Sequence, residues 1–361
     1  MTTKLFEPLT LRELEFRNRL WVPPMCQYSA THKDGIPNSW HTVHYTSMAR
    51  GGAGAIIVEM TNVEAAGRIS PHCLGLWNDE QQEAFTPIVE GIKAAGARAG
   101  IQIGHAGRKA STYPEWGTDG SGSLNNGDGG WDTVAPSAIA FPGLKEPRAL
   151  STDEIHQLVA AFGDSARRAV AAGFDFLEIH GAHGYLITEF LSPLSNERTD
   201  EFGGSLKNRA RFLLLVADAM RAQMPEDMPL LARLSATEWV DGGITVEETV
   251  QVASWLKDHG VDLIDVSTGG NYPGKISVHA GYQTPAATQV KNEAQIPVSA
   301  VGMINEARLA DFIVSTDQAD VVMMGREILR DHAFPLHAAK ELGAEIDYIP
   351  AQYQRAYRTR R

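Results

Sequence analysis

This chain of 361 residues has only two cysteines, Cys26 and Cys73. Two thiols cannot build a disulfide scaffold, and they cannot supply the four ligands of an iron–sulfur cluster held by one chain. No apolar run reaches the roughly 18 residues of a membrane-spanning helix. Basic residues are in the minority, with 32 Lys and Arg against 44 Asp and Glu. The resulting formal charge of −12 argues against general binding to nucleic acid or a membrane surface. Residues 1–20 show no signal-peptide pattern, because Lys4, Glu7, Arg12, Glu13, Glu15 and Arg17 interrupt it. The expected location is therefore the cytoplasm. No strand-to-helix turn carries G-x-G-x-x-G, so a dinucleotide site of the doubly wound kind is disfavoured.

What is present is ordinary for a soluble globular protein: 43% hydrophobic and 21% charged residues. Eight short apolar runs stand out, at 19–26, 54–60, 99–105, 174–180, 230–235, 263–268, 298–303 and 321–326. Helical patterns lie between several of them, at 79–95, 151–172, 206–223, 245–258 and 306–314. Ser151-Thr152-Asp153-Glu154 and Thr245-Val246-Glu247-Glu248 read as capping boxes. Eightfold alternation predicts a (β/α)8 TIM barrel, with a doubly wound sheet as runner-up. Residues 5–20 stand outside the repeat and predict a β-hairpin that caps the barrel. Residues 113–132, rich in Gly, Asp, Ser and Asn, predict a long loop after the third strand. No linker divides the chain, so residues 1–361 are expected to form one domain.

Catalytic groups of such barrels lie at the C-terminal ends of the strands. Those positions hold Cys26, Met60, Gln102, His105, His180, Arg233 and Arg326. The most informative stretch is Glu178-Ile179-His180-Gly181-Ala182-His183-Gly184-Tyr185-Leu186. It bunches two imidazoles and a phenol on the loop leaving a strand, where they could grip an oxygen and deliver a proton. Alternation within the strand points Phe176, Glu178 and His180 into the barrel and Leu177 and Ile179 toward the helices. Other readings stay open on the residues alone. His180 and His183 could bind zinc with help from His105, Glu178 or Glu59, or could cap backbone groups at a sharp turn. Cys26 could be a small core residue and Tyr28 a packed phenol. Arg233 could pair with Glu178. Gly302, Gly325 and Arg326 suit a phosphate group, although glycine-tipped strands are common. Lys109 would by default be solvated.

Several segments occur together in a fixed order. They are Pro23-Pro24-Met25-Cys26-Gln27-Tyr28, then Gln102-x-x-His105-Ala106-Gly107-Arg108-Lys109, then His180-Gly181-Ala182-His183-Gly184-Tyr185-Leu186. Phe190-Leu191-Ser192-Pro193-Leu194-Ser195-Asn196, Arg198-Thr199-Asp200, Phe202-Gly203-Gly204-Ser205 and Asn208-Arg209 follow, and Met324-Gly325-Arg326 and Gln352-Tyr353-Gln354-Arg355 complete the set. From residue 5 to residue 357 the chain resembles the old yellow enzyme family of FMN-dependent ene-reductases. Its nearest likeness is to the thermophilic-like subgroup that includes bacterial xenobiotic reductases.

The resemblance implies an FMN at the barrel mouth. Pro24, Met25, Cys26 and Met60 would lie along the flavin, and Gln102 would bond its pyrimidine part. Arg233 would sit near the N1/C2 region, and His180 would also touch the cofactor. Gly302, Gly325 and Arg326 would hold the phosphate. NADPH or NADH would reduce FMN and leave; the alkene would then take its place. His180 and His183 resemble the pair that grips a carbonyl or nitro oxygen, with Tyr28 as a further donor. Hydride would pass from flavin N5 to Cβ, and Tyr185 would protonate Cα. Cys26 resembles the cysteine that adjusts the flavin potential. Arg355 resembles an arginine finger inserted into a neighbouring subunit, which implies a homodimer or homotetramer with the tail at 350–361 at the contact. Enones such as 2-cyclohexenone, maleimides and nitro compounds are the expected substrates. Arg108 and Lys109 are candidate contacts for the 2′-phosphate of NADPH. Met60 and Met303 depart from residues often found in relatives, and Trp116 or Trp131 of the long loop could cover the pocket. Two other classes remain in view: a metal-dependent barrel hydrolase, and a flavin-binding protein without catalysis.

Overall fold

Eight parallel strands overlap the eight apolar runs, but the first ends at Trp21 and the last at Met323, so Cys26 and Arg326 lie in the segments beyond their strands and not on the strand ends. The computed structural model describes residues 3–116 and 120–357. An antiparallel hairpin comes first, β1 (Leu9–Leu11) with β2 (Leu14–Phe16). Then come β3 (Leu20–Trp21), β4 (Ala55–Asn62), β5 (Arg98–Gly104) and a small pair, β6 (Val134–Ala135) with β7 (Arg148–Ala149). The series ends with β8 (Phe176–Gly181), β9 (Leu230–Ser235), β10 (Leu263–Ser267), β11 (Val298–Ala300) and β12 (Val321–Met323). The helices are α1 (Ser39–Arg50), α2 (Asp79–Ala94), α3 (Thr152–Ala171), α4 (Leu186–Leu191), α5 (Leu206–Arg221) and α6 (Val246–Asp258). They continue as α7 (Thr284–Ala294), α8 (Ala307–Ser315), α9 (Arg326–Arg330), α10 (Phe334–Leu342) and α11 (Gln354–Tyr357).

The sheet order is β3-β12-β11-β10-β9-β8-β5-β4, all parallel. Val22 closes the ring. It pairs with Ile56, donating its N–H to Ala55 O at 2.9 Å and accepting from Ile57 N–H at 3.0 Å. The fold is the expected (β/α)8 barrel. Both expected capping boxes are formed, Ser151 with Glu154 and Thr245 with Glu248. Each satisfies two backbone donors that a helix start leaves orphaned.

Side-chain alternation decides where polar groups can go. Leu177 and Ile179 face the outer core between barrel and helices. Phe176 faces inward and packs with Trp21, Leu231, Leu263, Val321 and Met323. Leu11 and Phe16 of the hairpin join that inner cluster, so the hairpin plugs the bottom of the barrel as expected. Gly100 is bare for a steric reason: a Cβ there would lie 2.3 Å from Phe176 Cζ. With the bottom sealed by apolar packing, inward polar side chains collect toward the C-terminal mouth.

In the long loop, Thr112 bridges Ser123 in antiparallel fashion. Residues 117–119 of that loop and 358–361 of the expected tail lie outside the described residues. Trp131 packs inward, with Nε1 donating to Ala66 O at 2.8 Å and Arg68 lying 5.3 Å from the ring centroid.

Candidate active site

A polar layer spans five neighbouring strands above the apolar plug. Gln102 on β5 is opposite Glu178 on β8, His180 is opposite Arg233 on β9, and Arg233 is opposite Asp265 on β10, which pairs in turn with Ser299 on β11. Gln102 Nε2 donates to Glu178 Oε1 at 2.8 Å, and Ser299 Oγ donates to Asp265 Oδ1 at 2.5 Å. Arg233 Nε lies 2.9 Å from Asp265 Oδ2. So Arg233 pairs with Asp265, where the sequence had offered Glu178. Asp265 sits inside the apolar run at 263–268, and a lone carboxylate in a buried strand is the sequence signal for such a partner. Burial first, and then the Asp265 charge, push the Glu178 carboxyl well above its usual range, against the pull of Arg233.

Above this layer the chain turns sharply. His183 has φ 62° and Gly184 φ 71°, both left-handed. Glycine adopts that conformation freely, whereas a histidine must be held in it. The turn brings His180, His183 and Tyr185 together. The His180 ring centroid is 5.3 Å from that of His183 and 5.0 Å from that of Tyr185, both edge to face. Ser235 Oγ accepts from His183 N–H at 2.9 Å, and Ser267 Oγ lies 2.7 Å from His183 Nε2. If Ser267 donates to Nε2, the His183 proton sits on Nδ1 and is available to a substrate oxygen. His180 Nδ1 is buried with no hydrogen-bond partner among the described residues. Burial, then the charge of Arg233, lowers both histidines well below their ordinary pKa, with Lys109 adding to it. Both imidazoles are therefore neutral at pH 7. Tyr185 stands at the N-cap position of α4 with its side chain making no capping hydrogen bond, and burial raises its phenol well above the usual value. It keeps its proton until a strong base takes it.

Cys26, Tyr28, Met60 and Tyr185 share one small apolar cluster with Ile69, Cys73, Ala106 and Ala110. Burial drives the Cys26 thiol pKa well up, although the Met60 N–H opposes it. Tyr28 is buried at φ 49° and meets Trp116 edge to face at 6.2 Å. Glu59 holds this segment from below. Its carboxylate accepts from Gln27 N–H at 2.7 Å and from Tyr45 Oη–H at 3.0 Å.

At the other side of the mouth, Met25 Sδ would lie 3.2 Å from a Cβ on Gly325, so the 23–25 segment crosses to the end of β12. Gly302 (φ 114°) and Met303 (φ 52°) form a left-handed pair, and Arg326 Nη2 lies 3.2 Å from Met303 Sδ. A thioether is a weak acceptor, so the guanidinium is free to bind a stronger anion. This donor set suits FMN. An unpartnered imidazole nitrogen and an amide face the polar layer, and an exposed arginine stands beside left-handed backbone at the phosphate end.

Three expectations change. Among the described residues no three His, Cys, Asp or Glu side chains are grouped to hold a metal ion, and His105 Nε2 instead meets Glu64 Oε1 at 3.1 Å. Arg108 is only 1% exposed and donates to Asn271 O at 2.7 Å, so it is no contact for a cofactor phosphate. Lys109 is not solvated; its ammonium is engaged inside the site. Arg355 lies on exposed α11, where Tyr357 stacks with His337 at 6.3 Å.

The model of the NADH:flavin oxidoreductase / NADH oxidase family matches residues 4–345. The chain is 45% identical over 359 residues to the NADPH dehydrogenase of Geobacillus thermodenitrificans (strain NG80-2), covering 99% of this chain and 100% of that one. It is 42% identical over 358 residues to the NADPH dehydrogenase of Bacillus subtilis (strain 168), with 99% and 100% covered. Among solved structures, morphinone reductase superposes with a TM-score of 0.79 at 28% identity, over 96% of this chain and 91% of that one. A 2-naphthoyl-CoA reductase gives 0.86 at 25% identity, over 95% of this chain and 53% of its own longer chain.

Proposed function

Because the chain belongs to the NADH:flavin oxidoreductase / NADH oxidase family, within the old yellow enzymes, we propose how its own residues serve the reaction. It is an enzyme, an FMN- and NAD(P)H-dependent reductase of activated C=C bonds. FMN, when bound, supplies the hydride chemistry. Pro24, Met25, Cys26 and Met60 would line the flavin, Gln102, His180 and Arg233 would bond it, and Gly302, Gly325 and Arg326 would hold its phosphate. The name of the relatives favours NADPH as the reductant.

His180 and His183 bind the substrate's carbonyl or nitro oxygen, with Tyr28 as an added donor. Neutral imidazoles suit this task, because they donate without the desolvation of a buried cation. As hydride reaches Cβ, charge builds on that oxygen, and donors already in place stabilise it. Tyr185 delivers the proton to Cα. One observation carries the reading: at the barrel mouth the neutral His180 imidazole lies 5.3 Å from that of His183 and 5.0 Å from the protonated Tyr185 phenol. The activated alkenes in view are 2-cyclohexenone-like enones, maleimides and nitro compounds.

The whole chain, 1–361, would work as one domain, and the exposed setting of Arg355 supports a homodimer or homotetramer in which it enters a neighbouring site. No helix among the described residues is long and apolar enough to cross a membrane, which is compatible with the proposed cytoplasmic location. Tyr185→Phe tests the proton donor. It should slow the enone step about 100-fold or more and leave flavin reduction by NADPH nearly unchanged. Equal slowing of both steps would remove the role.

A further inference from the structure

Lys109 leaves the short 3-10 helix Gly107–Lys109 after β5 and reaches across the mouth. Its Nζ donates to His183 O at 2.8 Å and to Gly270 O at 3.1 Å. These carbonyls belong to different loops, one after β8 and one after β10. The loops touch backbone to backbone: a Cβ on Gly184 would lie 2.3 Å from Gly270 O, and one on Gly270 would lie 2.6 Å from His183 Cα. The same ammonium lies 4.8 Å from the Tyr185 ring centroid and 4.9 Å from that of Phe141. Its neighbour Arg108 fastens the next residue of the β10 loop, donating to Asn271 O and Oδ1.

We infer that Lys109 is a positioning residue, whose ammonium pins the left-handed turn at His183 to the β10 loop and thereby aims His183 and Tyr185 at the substrate. The inference rests on the roles given above to His180, His183 and Tyr185. The left-handed region costs a residue with a side chain about 1–2 kcal/mol, so the turn at His183, φ 62°, gains from whatever grips it. The carbonyl of that very residue is the one the lysine grips at 2.8 Å. The charge has a second effect, since it helps keep both imidazoles neutral. Burial lowers the Lys109 pKa from 10.5 to about 8, so the clamp is weakened in mild alkali. The charged and titratable groups around it are Glu189 on α4, Glu115 in the long loop, Arg108 beside it, and His180, His183 and Tyr185 on the β8 loop. Glu189 also titrates at about 8, so the test must separate the two.

The experiment compares FMN-loaded wild type, Lys109→Met and Lys109→Arg in the separate NADPH and 2-cyclohexenone steps from pH 6 to 9.5, with melting curves alongside. Lys109→Met should slow the enone step about tenfold, the worth of one charge-assisted hydrogen bond, and raise the half-saturating enone concentration. The NADPH step should change little. In wild type the enone rate should fall as pH rises through about 8, whereas Lys109→Arg, which stays charged, should lose that fall. A wild-type enone rate in Lys109→Met would overturn the proposal. So would an alkaline fall that persists in Lys109→Arg, since it would then belong to Glu189. If Lys109→Met does not fold, the pH profile of Lys109→Arg decides alone. Wild type that cannot reduce the enone at all would overturn the functional reading itself, before any variant is compared.

Discussion

Gly184→Ala is the perturbation whose consequence the geometry sets most tightly. Gly184 has φ +71°, and an added Cβ would lie 2.3 Å from Gly270 O and 2.4 Å from Asn271 Cα. Both atoms are backbone and cannot swing aside as a side-chain tip can. The left-handed conformation costs alanine about 1–2 kcal/mol. Forced overpacking adds about 1–3 kcal/mol. The total is on the order of 2–5 kcal/mol, and the turn bearing His183 and Tyr185 must shift to relieve it. Gly173→Ala is the control. Its φ is +92°, but the nearest atom to its Cβ is 3.6 Å away, so it meets the conformational penalty without the clash. Melting curves of both FMN-loaded variants at one scan rate, with enone kinetics, read out the difference. Gly184→Ala should melt below Gly173→Ala and lose about 100-fold in kcat/KM for 2-cyclohexenone, the effect of a displacement near 1 Å. Gly173→Ala should keep wild-type kinetics. Equal melting of the two, or wild-type kinetics in Gly184→Ala, would refute the claim that close loop contact aims the catalytic turn.

Two further outcomes are expected. Burial raises the Glu59 carboxyl from 4.5 to about 7, so its contribution to stability is fully present below pH 4.5 and is lost as pH rises toward 7. The loss is roughly 3 kcal/mol, and Glu59→Gln should flatten the fall in melting temperature between pH 5 and 7; parallel profiles would show that ionising Glu59 is not what destabilises the fold. Deleting residues 351–361 should weaken enone binding without lowering the melting temperature, and unchanged kinetics would remove Arg355 from the site.

The architecture was legible because its signals are local. The apolar runs located all eight barrel strands, β9 at the same residues as read, and alternation in β8 correctly divided Phe176 and Glu178 from Leu177 and Ile179. Helix α1 was not among the helices read. Its Trp40, Thr42, Val43, Tyr45 and Thr46 are poor helix formers, yet Asn38 and His41 form a capping box that starts it. Charged residues were harder, because sequence shows a charge but not the loop that folds over it. Lys109 reads as solvated, and it and Arg108 read as candidate contacts for a cofactor phosphate, yet both turn inward to carbonyls far along the chain. Ser235 and Ser267, which grip His183, lie at the ends of apolar strands and carry no motif. The left-handed turn was foreshadowed by Gly184, but the close approach of Gly270 that requires it is a tertiary fact.

The central claim is tested most directly by one anaerobic absorbance experiment on the purified protein, adding NADPH and then 2-cyclohexenone. The account predicts yellow protein that bleaches with NADPH and recolours with the enone. Colourless protein that FMN cannot reconstitute, or yellow protein that NADPH does not bleach, would contradict it.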